Sequence, residues 1–126
     1  MALSFTVDFK PGSPLADQFV YAVKKAVISG LLKEGDRFPS VRAVSQDLRI
    51  NPNTVHKATS ALVADGFLVV DPGVGMRVGA IPPGSEQERG QLLGAEVEGL
   101  VVQAKALHLS LPALQDAVAS HWKRLS

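Results

Sequence analysis

The sequence predicts a mainly α fold with one small β-hairpin, and three observations carry that expectation. Residues 39–62, PSVRAVSQDLRINPNTVHKATSAL, read as two short helices joined by a tight turn. Residues 67–78, FLVVDPGVGMRV, read as two strands around a glycine-rich turn. Residues 85–126 carry apolar side chains at helical spacing with a single break near His108.

Composition bounds the function classes. The chain has 126 residues, 46% of them apolar, enough for one domain or for a small domain with an appendage. It has no cysteine, which excludes disulfides and thiolate metal or redox sites and is compatible with a cytoplasmic protein. Residues 1–10 alternate polar and apolar instead of running apolar, so no signal peptide is expected, and no run is long enough to span a membrane. The net charge of +1 argues against a protein that coats nucleic acid without selectivity. Residues 1–80 hold nine Lys/Arg against seven Asp/Glu, and residues 81–126 four against five.

In chain order, residues 3–9 alternate apolar and polar, the pattern of a short strand or of an extended arm laying Leu3, Phe5, Val7 and Phe9 on a core. Pro11 and Gly12 end it. Ser13 is expected to cap a first helix with Pro14 at its first position and Leu15, Phe19, Ala22, Val23, Ala26 and Val27 on its apolar face. Gly30 stops that helix, with Leu31 and Leu32 packing beneath it. Residues 33–36, KEGD, form a turn, and Arg37-Phe38 a very short strand. Ser40 caps a second helix that carries Val41, Val44 and Leu48 inward. Pro52 cannot follow a helical residue comfortably but suits the first turn of a new helix, which makes Asn51 the N-cap of a third. That helix has a narrow apolar stripe of Val55, Ala58 and Leu62, whereas Asn51, Asn53, Thr54, His56 and Lys57 crowd its start. Side chains of this kind at a helix N-terminus can hydrogen-bond base edges and phosphates in a major groove. The same stretch also suits a plain helix pair in which Asn51, Asn53 and Thr54 only cap. Asp65-Gly66 ends the third helix. Residues 67–70 and 76–78 then form strands around a turn at residues 71–75, a better reading than a phosphate cradle for a lone Gly-x-Gly between strands.

Pro82-Pro83-Gly84 marks a boundary. Beyond it, Ser85 caps a helix with Glu86 and Glu88 in its first turn. Leu93, Val97, Leu100, Ala104 and Leu107 follow at spacings of 4, 3, 4 and 3, a heptad-like seam about two heptads long. After a break at residues 108–110, Ser110 caps a last helix whose stripe is Leu111, Leu114, Val118, Trp122 and Leu125. Three helices, a glycine-tipped hairpin and two more helices make a winged helix-turn-helix followed by a two-helix dimerisation tail. The domains expected are residues 1–80, a DNA-binding winged domain with an N-terminal arm, and residues 81–126, a helical dimerisation region.

Residues 35–42, GDRFPSVR, resemble the PGD-x-LPS-x-R signature of the GntR family of bacterial transcription regulators, and residues 14–79 as a whole are similar to its DNA-binding domain. Residues 51–55, NPNTV, and the Gly-x-Gly wing are similar to the short YtrA-like branch, whose small dimerising tail the last two helices resemble. The resemblance implies DNA contacts by Arg42, by Asn51, Asn53, Thr54, His56 and Lys57, and by Gly73 with its wing neighbours; Arg77, where the chain departs from the family pattern, is either an additional phosphate contact or simply an exposed strand residue. It implies a homodimer held through Leu93, Val97, Leu100, Ala104, Leu107, Leu114, Val118 and Trp122. The partners are then a double-stranded DNA operator with inverted-repeat symmetry, a second copy and, left open, a small-molecule effector; a repressor is expected, with no cofactor. Three positions depart from the family pattern: Glu34 replaces a proline, Thr59 a tyrosine, and Met76-Arg77 a Thr-Phe pair.

Other classes fare less well. His56, His108 and His121 lie on three different elements without metal-like spacing, and the chain has no HExxH, no P-loop and no nucleophile motif. No catalytic or metal residue is therefore assigned. Trp122 suits core or dimer packing better than a ligand cage. The alternative that stays open is a winged-helix adaptor that binds proteins and no DNA.

Overall fold

The computed structural model describes residues 3–126, so Met1 and Ala2 of the expected arm fall outside the described residues. The chain divides into two compact units, one ending at Pro82 and one running from Pro83 to Ser126.

The first unit begins with the arm, whose described residues bend at residues 4–5 and form no strand. Its alternation has a packing cause instead: Leu3 is buried, and Phe5, Val7 and Phe9 lie half-buried against the core. Gln18 pins the far end of the arm. Its Oε1 accepts from the Lys10 amide at 2.8 Å, and its Nε2 donates to the carbonyls of Lys10 at 2.7 Å and Ser13 at 2.9 Å.

Helix α1 (Leu15–Ile28) starts one residue later than expected. Pro14, not Ser13, is the N-cap: its ψ of 139° is extended, and its carbonyl accepts the first helical bond from the Gln18 amide at 3.1 Å. Ser13 lies one position too early for its hydroxyl to cap. Leu15 is exposed, and Ala16 is buried with Phe19, Val23, Ala26 and Val27. Past the helix, Gly30 takes a φ of +82°, which costs a residue without Cβ little. Leu32 is buried below the turn, whereas Leu31 is exposed.

The turn at residues 33–36 is closed by its own aspartate, because the Lys33 amide donates to Asp36 Oδ2 at 2.9 Å. It is then tied to the last strand from both sides. The Gly35 amide donates to the Val78 carbonyl, and the Val78 amide to the Asp36 carbonyl, each at 2.8 Å. Strand β1 (Arg37–Phe38) joins β2 (Leu68–Asp71) and β3 (Gly75–Val78) in an antiparallel sheet of order β1-β3-β2. The hairpin therefore gains a third strand, and Asp71 belongs to β2 instead of the turn. Helices α2 (Val41–Leu48) and α3 (Pro52–Ala64) lie between β1 and β2 in sequence. The core gathers Phe19, Val23, Phe38, Val44, Val55, Leu62, Leu68 and Val78, with the Phe19 and Phe38 rings edge to face at 6.4 Å. Lys24 anchors α1 to the end of α3 through Asp65 at 3.0 Å and lies over the Phe67 ring.

The second unit has α4 (Glu86–Gln91), opened by a reciprocal capping box between Ser85 and Glu88. It continues through a π-helical turn (Leu92–Glu96) into α5 (Val97–Ala106). That turn falls within the expected seam. A π turn accommodates an extra residue, which shifts the phase of an α-helical stripe across it. In the single chain Leu93 is 74% exposed and Ala104 6% exposed. His108 adopts a left-handed φ of 58° and ends the helix. The Ser110 hydroxyl accepts from the Ala113 amide at 3.2 Å and starts α6 (Leu111–Arg124).

Leu62 is fully buried at the centre of the first unit. Leu62→Ala should lower unfolding stability by about 2–5 kcal/mol, read by denaturant titration, since the surrounding helices and sheet can close over the gap only in part.

Candidate nucleic-acid interface

Helix α2 begins at the Ser40 hydroxyl, which accepts from the Ala43 amide at 3.1 Å. Arg42 is exposed in its first turn, while Val44 and Ser45 are buried. The turn to α3 is narrow and internally bonded. Arg49 takes a left-handed φ of 55°, the Ile50 amide donates to the Ser45 carbonyl at 3.3 Å, and the Ser45 hydroxyl donates to the Ile50 carbonyl at 2.6 Å. Sequence reasoning missed Ser45; its only signal was a small polar residue beside the inward Val44, where a hydroxyl can satisfy a turn carbonyl.

Asn51 caps α3 as expected, its Oδ1 accepting from the Asn53 amide at 2.8 Å. Val55, Ala58 and Leu62 are buried, and α3 packs against α1, α2 and β2. Thr59 is buried as well, its hydroxyl donating to the His56 carbonyl at 3.1 Å, which accounts for a polar side chain on the inner face. Burial of this stripe sends the rest of the first two turns outward. Asn51, Asn53, His56 and Lys57 are exposed and Thr54 is half-buried, so the structure brings these five together on the open N-terminal half of α3. His56 Nδ1 lies 3.2 Å from the Ser60 hydroxyl one turn on. Such a face presents hydrogen-bonding groups and one cation without an apolar cover.

At the wing tip, Gly73 has a φ of +75° and Gly75 of +137°, and the Val74 amide donates to the Asp71 carbonyl at 3.0 Å. Gly73 is exposed. Arg77 is not a free wing cation. Its Nε donates to both Asp71 oxygens, at 3.2 and 3.1 Å, and Arg37 Nη2 reaches Asp71 Oδ2 at 2.7 Å. The hydrogen bond from Arg37, and after it the bond and charge of Arg77, hold the Asp71 carboxyl below its ordinary value of 3.8 against the opposing effect of partial desolvation. Neither Arg37 nor Asp71 was singled out from sequence, because β1–β3 pairing is what brings them together.

In the second unit, Leu93, Val97, Leu100, Leu107, Val118 and Trp122 are exposed, Leu114 is half-buried and Ala104 is buried. Among the described residues no three or more of His, Asp and Glu come together as a metal site, and no helix is long and apolar enough to cross a membrane.

A family model for bacterial regulatory proteins of the gntR family matches residues 9–78. HTH-type transcriptional repressor YtrA of Bacillus subtilis (strain 168) is 34% identical over 62 residues, 49% of this chain and 48% of that protein. The chain thus spans about half the length of that relative. The solved structure of YtrA from Sulfolobus acidocaldarius, a GntR-family transcription factor, is 30% identical with a TM-score of 0.61, covering 76% of this chain and 96% of that one. A transcriptional antiterminator from Listeria monocytogenes EGD-e shares the fold at a TM-score of 0.85 over 99% of this chain and 94% of its own, with 20% identity.

The two asparagines at the start of α3 should separate in a melting experiment. Asn51→Ala removes the side-chain acceptor of the Asn53 amide and should cost about 1 kcal/mol. Asn53→Ala deletes only an exposed side chain and should leave the midpoint nearly unchanged; a low-melting Asn53→Ala protein would reassign it to a structural role.

Proposed function

This chain belongs to the gntR family of bacterial regulatory proteins, and we propose that within it the chain is a sequence-specific DNA-binding transcription regulator of the cytoplasm. The observation that carries the reading is the open N-terminal half of α3, with Asn51, Asn53, Thr54, His56 and Lys57 opposite a buried Val55/Ala58/Leu62 stripe. Placed in a major groove, Asn53 and Thr54 reach base edges, Lys57 neutralises a phosphate, and Arg42 at the start of α2 reads a base or holds the backbone. Gly73 lets the wing backbone approach the duplex closely. The repressor named among its relatives supports repression, which follows physically when a bound dimer covers promoter DNA.

The operator is an inverted repeat read by a homodimer. A single winged unit offers few base contacts, and a net charge of +1 adds little non-specific attraction. The second unit supplies the means of pairing: Leu93, Leu107, Leu111 and Trp122 are all well over half exposed, a density of bare apolar side chains that favours burial against another chain. Two linked readers then gain from each other's effective concentration.

Duplexes selected from a random pool should show half-sites about one helical turn apart. On such a duplex, Arg42→Ala should lose about 1–3 kcal/mol of binding if its contact is bidentate to a base, with melting unchanged. Lys57→Ala should reduce the salt slope by about one phosphate. Unchanged affinity in both variants at fixed salt would remove this face from the interface, and an adaptor without DNA affinity would select no sequence at all.

Sedimentation of the full chain at micromolar concentration should show a dimer. Val118→Glu, in the middle of the exposed α6 stripe, should shift it toward monomer and weaken operator binding together. A wild-type monomer that binds as tightly as any dimer would refute the pairing.

A further inference from the structure

We propose that Arg37 and Arg77 together form a phosphate clamp on the outer face of the wing sheet, a DNA-backbone contact separate from α3. The inference rests on the DNA-binding reading above and extends it to a residue, Arg37, that lies outside the helix-turn-helix.

Strand register creates the pair. Arg37 lies directly opposite Arg77 across β1 and β3, as Phe38 does opposite Met76. Phe38 and Val78 are buried and Met76 packs on the core, so alternation along each strand sends Arg37 and Arg77 to the opposite face. Two like charges directly across an antiparallel pair repel. Packing does not require them there, since their side chains are 53% and 36% exposed. Asp71 offsets the repulsion by accepting from both, yet one carboxylate against two guanidiniums leaves a net positive charge on this face.

The donors are also under-used. Each guanidinium carries five N–H groups in a planar fork. Asp71 engages Nη2 of Arg37 and Nε of Arg77, and among the described residues the two terminal nitrogens of Arg77 and the Nε and Nη1 of Arg37 have no hydrogen-bond acceptor. Two adjacent forks with outward donors match the oxygens of a phosphodiester. The location suits one too, because Asp71 is two residues from the exposed Gly73 at the wing tip and its carbonyl closes that turn. A chain of net charge +1 needs its few cations placed where phosphates lie, and this pair supplies two of the nine in the first 80 residues.

The test is a salt titration of the full chain on a selected duplex, comparing wild type with Arg37→Gln, Arg77→Gln, Arg37→Lys and the double glutamine variant, with melting measured on each. Each glutamine should lower the slope of log K against log salt by about 0.9, so that a fourfold rise in salt costs about threefold to fourfold less affinity than in wild type. The double variant should lower it by about the same 0.9, because both forks hold one phosphodiester, and Arg37→Lys should restore most of the slope while binding more weakly. A trio that only braces the sheet predicts lower melting for the glutamine variants with the slope of wild type, and that result overturns the clamp while the α3 interface stands. Wild type that retains no duplex overturns the underlying reading, and the clamp with it.

Discussion

Everything that gives the first unit its direction depends on one buried stripe. Val55, Ala58 and Leu62 can leave water only by turning α3 so that one face meets α1, α2 and β2. A helix has a single axis, so burying that face assigns the opposite one to solvent. The polar groups at residues 51–57 are thereby presented at the end where helical amides are unpaired and a positive dipole points outward. The same contact that stabilises the unit thus aims its chemistry. Thr59 shows how tightly the assignment holds: its hydroxyl turns back to the His56 carbonyl in place of water.

The sheet depends in turn on a few backbone bonds outside it. Gly35 and Asp36 exchange hydrogen bonds with Val78, which turns a two-stranded hairpin into three strands and fastens the wing to the segment entering α2. An isolated hairpin is marginal in water, so a third strand and a buried face matter for keeping a wing in one place. Asp71 then links all three strands at their outer face through Arg37 and Arg77. The ion cluster that ties the strands together is also where two partly exposed guanidiniums share one carboxylate.

The second unit obeys a different balance. Its helix starts are well capped, at Ser85 and Ser110, yet Ala104 alone among its described residues is buried. Local rules therefore specify its helices while its apolar side chains stay largely uncovered. The π turn at residues 92–96 adds to this, since it rotates the residues before it away from the line of those after it.

Much of this was legible in the order of residues. Short-range rules depend only on neighbours, so the caps at Ser40, Asn51, Ser85 and Ser110, the Pro52 start and the glycine-tipped hairpin followed from sequence, as did the Val55/Ala58/Leu62 stripe and the polar start of α3. Other features needed the folded chain because they join residues far apart. The arm packs against the core and is held at its far end by Gln18, and Pro14 takes the cap position expected of Ser13. Arg77 was visible as a wing cation, but its pairing with Arg37 spans 40 residues of sequence and exists only once β1 meets β3, and its bond to Asp71, six residues away, needs the β2–β3 hairpin. The sequence by itself determined which segments are helix, turn and wing, and which side chains carry hydrogen-bonding chemistry, since periodicity and capping are local. Tertiary structure alone decided which charges face one another and which are already partnered, because that is set by strand register across long loops, and local pattern does not encode register.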